Sequence, residues 1–134
     1  MKGGKMDKMD KIIIGILKYE IVNKFNLQND IVYIGQQNID HIRKKHINDY
    51  NLFLDKLSEI IINPDYIGKH SHNDSIELIK ELTIQETYYV KVAIRISKNG
   101  TLFVRTLYTL NKSKFFRKLK RNHYEKVLDI ETKR

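Results

Sequence analysis

The chain has 134 residues, with 25 Lys and Arg against 16 Asp and Glu, a net charge of +9 and no cysteine. That length suits one domain with one hydrophobic core, and the absence of cysteine excludes disulfides and thiolate zinc sites. No apolar run reaches membrane-spanning length, and the positive surplus favours nucleic acid only modestly: an acidic membrane surface, an acidic protein or a solvated surface with no particular partner fits as well.

Residues 1–10 are polar and glycine-containing, and read as a flexible tail. Ile12–Leu17 is a short apolar run and predicts a strand. Tyr19, Ile21, Val22 and Phe25 are spaced for a short helix over Lys18–Phe25, and Asn29-Asp30 marks a turn before a second strand, Ile31–Ile34. Asn38 is the expected N-cap of a helix Ile39–His46. Asn48 or Asp49 would cap a longer one, Tyr50–Ile62, whose Phe53, Leu54, Leu57, Ile60 and Ile61 form one stripe. Asn63-Pro64-Asp65 ends it, because proline disfavours helix at the preceding residue.

The second half changes period. Ser75–Leu82, Thr87–Ser97 and Thr101–Leu110 are rich in β-branched and aromatic residues. Val90, Val92, Ile94 and Ile96 alternate with Tyr89, Lys91, Ala93 and Arg95, and Asn99-Gly100 is a hairpin signal. Asn111–Arg121 reads as a basic amphipathic helix burying Phe115, Phe116 and Leu119. Residues 122–134 read as a basic C-terminal tail or helix end. The expected architecture is α+β: N-terminal helices on one face of a mainly antiparallel sheet, with the other face free for a ligand.

Five features carry candidate chemistry. In His41-Ile42-Arg43-Lys44-Lys45-His46, a regular helix sets the two histidines about 140° apart, so both reach one site only at a cleft rim. His46 lies near a helix C-terminus, which favours its protonated form. The plain alternative is a hydrogen-bonded His46 and a solvent-facing His41. Thr106 and Tyr108 share one face of the last strand, and Arg105 points to the other unless a bulge intervenes. Lys91 and Arg95 put cations on the polar face of the central strand, where they would meet charge on phosphate or simply face water. His70-Ser71-His72 with Asp74 has a ligand-like spacing but lies in a polar loop, so no metal is assigned. Lys112, Lys114, Arg117, Lys118, Lys120 and Arg121 would track a phosphate backbone. No Walker loop, dinucleotide fingerprint, nucleophile elbow or zinc-protease motif is present, and no cofactor is expected.

The order Val32-Tyr33-Ile34, His41 to His46, Asn63-Pro64-Asp65-Tyr66-Ile67-Gly68, Ser75-Ile76-Glu77, Val92-Ala93-Ile94-Arg95 and Thr106-Leu107-Tyr108 resembles a known family. It is similar to the phage- and mobile-element-borne Barnase–EndoU–Colicin–RelE-like (BECR) nucleases. The resemblance runs from about Ile12 to Leu119 and implies a single nuclease domain over residues 11–121. It implies N-terminal helices on a four-stranded antiparallel sheet. It also implies metal-independent RNA cleavage, with transfer RNA among the candidate targets. As a toxin of this class the chain would act in the cytoplasm of a target cell and meet an acidic immunity protein or antitoxin. The family pattern falls on His41, His46, Arg95, Thr106 and Tyr108 as catalytic positions. Lys44, Lys45, Lys91, Arg105, Lys114, Arg117 and Lys118 would hold RNA. The rival readings are a non-catalytic RNA-binding module and an interaction protein with an acidic partner.

Overall fold

Alternating β-branched residues build strands where expected, but the sheet they join is wider than expected. The computed structural model describes residues 11–70 and 72–132, so the expected tail at residues 1–10 lies outside the described residues. Seven strands form one sheet: β1 (Ile12–Ile16), β2 (Ile31–Ile34), β3 (Tyr66–Lys69), β4 (Ile76–Ile84), β5 (Glu86–Ile96), β6 (Leu102–Thr109) and β7 (Tyr124–Lys126). Their spatial order is β1-β2-β6-β5-β4-β3-β7. The helices are α1 (Tyr19–Lys24), α2 (Gln36–Lys45), α3 (Ile47–Phe53), α4 (Leu57–Ile62), α5 (Lys112–Lys120) and α6 (Val127–Thr132). The α+β class holds, and the expected four-stranded sheet is corrected to seven strands. Every described pairing is antiparallel except β2 with β6, which is parallel through Val32↔Leu102 and Tyr33↔Phe103.

One sheet face carries the main core. Val90, Val92 and Ile94 of β5 meet Ile42, Phe53, Leu57, Ile60 and Ile61 from the helices, all within 2% of complete burial. Each such side chain contributes roughly 1.5–3 kcal/mol of transfer free energy. Gly15 lets α4 press onto β1: a Cβ there would sit 2.8 Å from Ile61 Cγ2. Ser58 of α4 donates to the Ile14 carbonyl at 2.7 Å and pins the same contact.

The opposite face is not left free along its whole width. Phe115 of α5 packs there with Ile79, Tyr89 and Tyr124, flanked by Tyr66, Leu110 and Leu119. Thus α5 covers the β3–β4–β5 end, where apolar residues alternate onto the outer face, and leaves the β1–β2–β6 side open. Phe116, expected in the buried stripe, is 48% exposed, because Phe115 alone takes the central position against the sheet.

Several boundaries move for local reasons. Helix α2 begins at Gln36, with Gly35 as N-cap; Asn38 sits inside its first turn and accepts the Gly35 N–H at 2.9 Å. The expected helix Tyr50–Ile62 is broken into α3, a 3₁₀ turn at Leu54–Lys56, and α4. The breaks fall at Phe53 (φ −127°, ψ −3°) and Lys56 (φ −97°, ψ 0°). Asn111, rather than an interior residue, caps α5 by accepting the Lys114 N–H at 3.0 Å. The stretch expected as a tail from residue 122 instead supplies β7 and α6, and buries Tyr124 and Val127. The hairpin at Asn99-Gly100 forms as expected, with Gly100 at φ +86° and its N–H donating to the Ser97 carbonyl at 2.9 Å.

Candidate active cleft

The short β2 sets the site's position. It pairs with β6 only at Leu102 and Phe103, so the β6 edge from Thr106 onward is not bonded to it. The corner between α2 and α3 fills in there. Asp49 of α3 accepts both the Thr109 N–H (3.0 Å) and the Thr109 hydroxyl (2.7 Å), which ties the corner to the β6 edge. His46 is that corner. Its N–H donates to the Ile42 carbonyl and its carbonyl accepts the Tyr50 N–H, each at 2.8 Å. The imidazole is thereby held against Tyr108, with ring centroids 4.9 Å apart and planes inclined by 24°.

Tyr108 faces outward, opposite Lys91 on β5. The Lys91 ammonium stands 4.7 Å from the Tyr108 ring centroid and donates to Glu77 of β4 at 2.9 Å. Both partners of this ion pair have side chains only 8% exposed. Burial lowers the proton affinity of Lys91, but hydrogen bonding to Tyr108 and Glu77 outweighs it, and the pKa lies above the ordinary lysine value. Tyr124 of β7 stands beside the same carboxylate. Burial first, and then the charge of Glu77, push its phenol well above the usual tyrosine range. Both groups therefore keep their protons through neutral pH. Gly68 makes room for Tyr124: a Cβ there would lie 2.7 Å from Tyr124 Cδ1.

Two hollows of about 260 and 210 Å³ meet over this group and share Lys91, Tyr108, Lys118 and Tyr124 as walls. The first extends to Asn111, Lys114 and Phe115. The second extends to Lys69, His70 and His123. Four lysines thus border one cleft against one buried carboxylate, Glu77, an arrangement suited to an anion with several oxygens.

The sequence-selected residues divide. Tyr108, Lys91, Lys114 and Lys118 line the cleft, whereas His46 lines neither hollow and reaches the rim only through its stack on Tyr108. Thr106 lies two residues along the same face, opposite Ala93, and its hydroxyl oxygen is buried without a hydrogen-bond partner. A bulge does intervene at Arg105: Ala93 pairs with Thr106 and Ile94 with Val104, so Arg105 has no partner on β5. Its Nη1 crosses the small Ala93 and donates to Ser75 Oγ at 3.2 Å, which puts the guanidinium on the cleft side. Arg95 shares that face but lies four residues from Lys91, about 13 Å along the strand, over the Phe103 ring at 4.8 Å. It lines neither hollow. His41 is exposed on α2, away from the stack. Lys44 and Lys45 are exposed on the last turn before His46, and Arg117 is exposed on α5 outside the hollows.

Glu77, Tyr124 and His123 are not among the sequence-selected site residues. Glu77 belongs to the Ser75-Ile76-Glu77 segment of the resemblance but has no role there until Lys91 stands beside it, and Tyr124 and His123 lie in the stretch expected as a tail. His70 was read as loop; it follows β3, and its Nδ1 accepts the His72 N–H at 3.0 Å. Among the described residues, no three His, Cys, Asp or Glu side chains gather as a metal ligand set.

The orphaned Thr106 hydroxyl costs roughly 1–3 kcal/mol where it stands. Thr106→Val, which removes that hydroxyl, is therefore expected to keep or raise thermal stability. The melting temperature checks this; a variant that melts earlier would show that the hydroxyl supports the fold.

No helix among the described residues is long and apolar enough to cross a membrane. Comparison with curated proteins and with solved structures gave no significant match. The sequence model of the phage-Barnase-EndoU-ColicinE5/D-RelE like nuclease 3 family matches residues 11–117, which takes in every strand but β7, and both His46 and the Lys91–Tyr108 floor. The chain therefore belongs to this family of phage BECR-type nucleases.

Proposed function

We propose that the cleft cleaves RNA by metal-independent transesterification. The observation that carries this reading is the Lys91 ammonium, buried yet charged, fixed beside Tyr108 while His46 stacks on the same ring. A base removes the ribose 2′-OH proton, and the oxygen attacks the adjacent phosphorus. The bond from phosphorus to the 5′ oxygen breaks, and an acid protonates the leaving oxygen. The products are a 2′,3′-cyclic phosphate and a 5′-OH. RNA supplies its own nucleophile, so the reaction needs only proton transfer and charge stabilisation.

His46 serves as one proton-transfer group, since imidazole exchanges protons near neutrality. Lys91 takes the role of the cation facing the phosphate, in place of Arg95, which lies too far along the strand. Tyr108 orients the phosphate and can donate a proton, and Thr106 positions the adjoining oxygen. Lys69, Lys114 and Lys118 hold the flanking backbone. An acidic inhibitor protein would find its complement in the same lysines.

The test uses RNA and DNA oligonucleotides of one sequence, incubated with the protein in EDTA. The expected result is cut RNA, intact DNA and no loss of rate on chelation. Cleavage that stops in EDTA, or DNA cut as fast as RNA, would contradict the scheme.

A further inference from the structure

The open half of the outer sheet face carries a row of side chains outside the cleft. Ile13, Tyr33, Phe103 and Arg95 occupy matched positions on β1, β2, β6 and β5. The Tyr33 and Phe103 rings are 6.1 Å apart and inclined by 40°. Arg95 lies 4.8 Å over Phe103, and the Lys11 ammonium lies 4.7 Å from the Tyr33 ring and 5.7 Å from Phe103. Both rings are only partly buried, and neither is among the residues that α5 packs against. Arg105, extruded by the bulge and anchored on Ser75, lies between this row and Lys91. A run of cations, Lys91, Arg105, Arg95 and Lys11, thus leads from the cleft onto two neighbouring aromatic rings.

We infer that Tyr33 and Phe103 form a stacking platform for unpaired bases of the RNA beside the cleaved bond, with Arg95, Arg105 and Lys11 following its phosphates. This rests on the ribonuclease reading of the cleft and adds the substrate class: single-stranded RNA extending beyond the cut step. Aromatic rings interleaved with cations on an open sheet suit this ligand, because every base has a π-face while a duplex buries its bases against one another. Stacking is tolerant of sequence, so the platform sets strand state and length and leaves base choice to the cleft.

The experiment compares a dinucleotide, which fills only the cleft, with a single-stranded RNA of about twelve nucleotides. The Tyr33→Leu/Phe103→Leu protein is expected to lose roughly 5- to 100-fold in kcat/KM on the longer RNA and nothing on the dinucleotide. Equal loss on both, or no loss on either, overturns the platform. A second readout does not depend on cleavage or on the double variant's folding. The chain has no tryptophan, so Phe103→Trp adds a sole reporter. A 2′-deoxy single strand is expected to quench its emission and the matching duplex to leave it unchanged. Emission unaffected by the single strand overturns the platform. Quenching in Phe103→Trp beside a wild-type protein that cuts no RNA instead overturns the ribonuclease reading.

Discussion

Replacing Lys91 with alanine is expected to cost both the fold and the reaction. The Lys91–Glu77 pair is buried at both ends and joined at 2.9 Å. Removing one partner leaves an uncompensated charge inside, at a cost of about 3–5 kcal/mol. A domain of this size has only about 5–15 kcal/mol of stability in total. Lys91→Ala should therefore melt much earlier, and lost activity alone would not tell a missing cation from a missing structure. Lys91→Met/Glu77→Leu separates the two. Replacing a buried pair by apolar side chains of similar volume is often neutral for stability, so this variant should recover most of the melting temperature. Its cleavage should stay about 10²–10³-fold down, the scale seen when one preorganised group facing developing charge is removed. A refolded double variant that cuts RNA at the wild-type rate would place Lys91 in the scaffold only.

His46→Ala should show the opposite pattern. The side chain is half-buried at the rim, and its main contact is the stack on Tyr108. Losing that stack costs on the order of 0.5–1.5 kcal/mol, so the protein should remain folded. Cleavage should fall ~10²–10⁴-fold, as for loss of a positioned acid or base. The pH–rate profile should also lose one limb. Tyr108→Phe supplies the comparison, because it keeps the ring under His46 and removes only the hydroxyl. It should keep the limb that His46→Ala loses, at a reduced rate. If His46→Ala kept both limbs and most of its rate, the proton-transfer role would belong to another group, with His70 and His123 the nearest imidazoles lining the cleft.

Periodicity revealed the large elements because burial enforces it. The alternation from Val90 to Ile96 is legible since one face of β5 meets the helices and the other does not. Strands β3 and β7 were hidden for the converse reason. Unlike the equally short but wholly apolar β2, they carry Gly68, Lys69, Glu125 and Lys126, and Tyr66 and Tyr124 look like loop residues until they pair. The break of the 50–62 helix was also silent, because its apolar stripe reads the same across α3 and α4. At the site, His46, Tyr108 and Thr106 were legible as residues, whereas their convergence depends on the short β2, the Asp49 clasp and the α2–α3 corner. Arg105 changed standing through the bulge at its own position, whereas Arg95 kept its expected face and stands apart because it lies four residues from Lys91 along β5. A one-residue insertion reverses which side chains face the cleft, and nothing in the local sequence marks it. Glu77 was unreadable because its function is defined by a partner fourteen residues away on the neighbouring strand.

The most direct test of the account is the chemistry of the cut ends. A single-stranded RNA carrying one 2′-deoxy residue at the mapped cleavage site would be compared with its all-ribose parent, in EDTA. The parent should give a 2′,3′-cyclic phosphate and a 5′-OH, and the deoxy position should not be cut. Cleavage at the deoxy residue, or fragments ending in 3′-OH, would contradict the account.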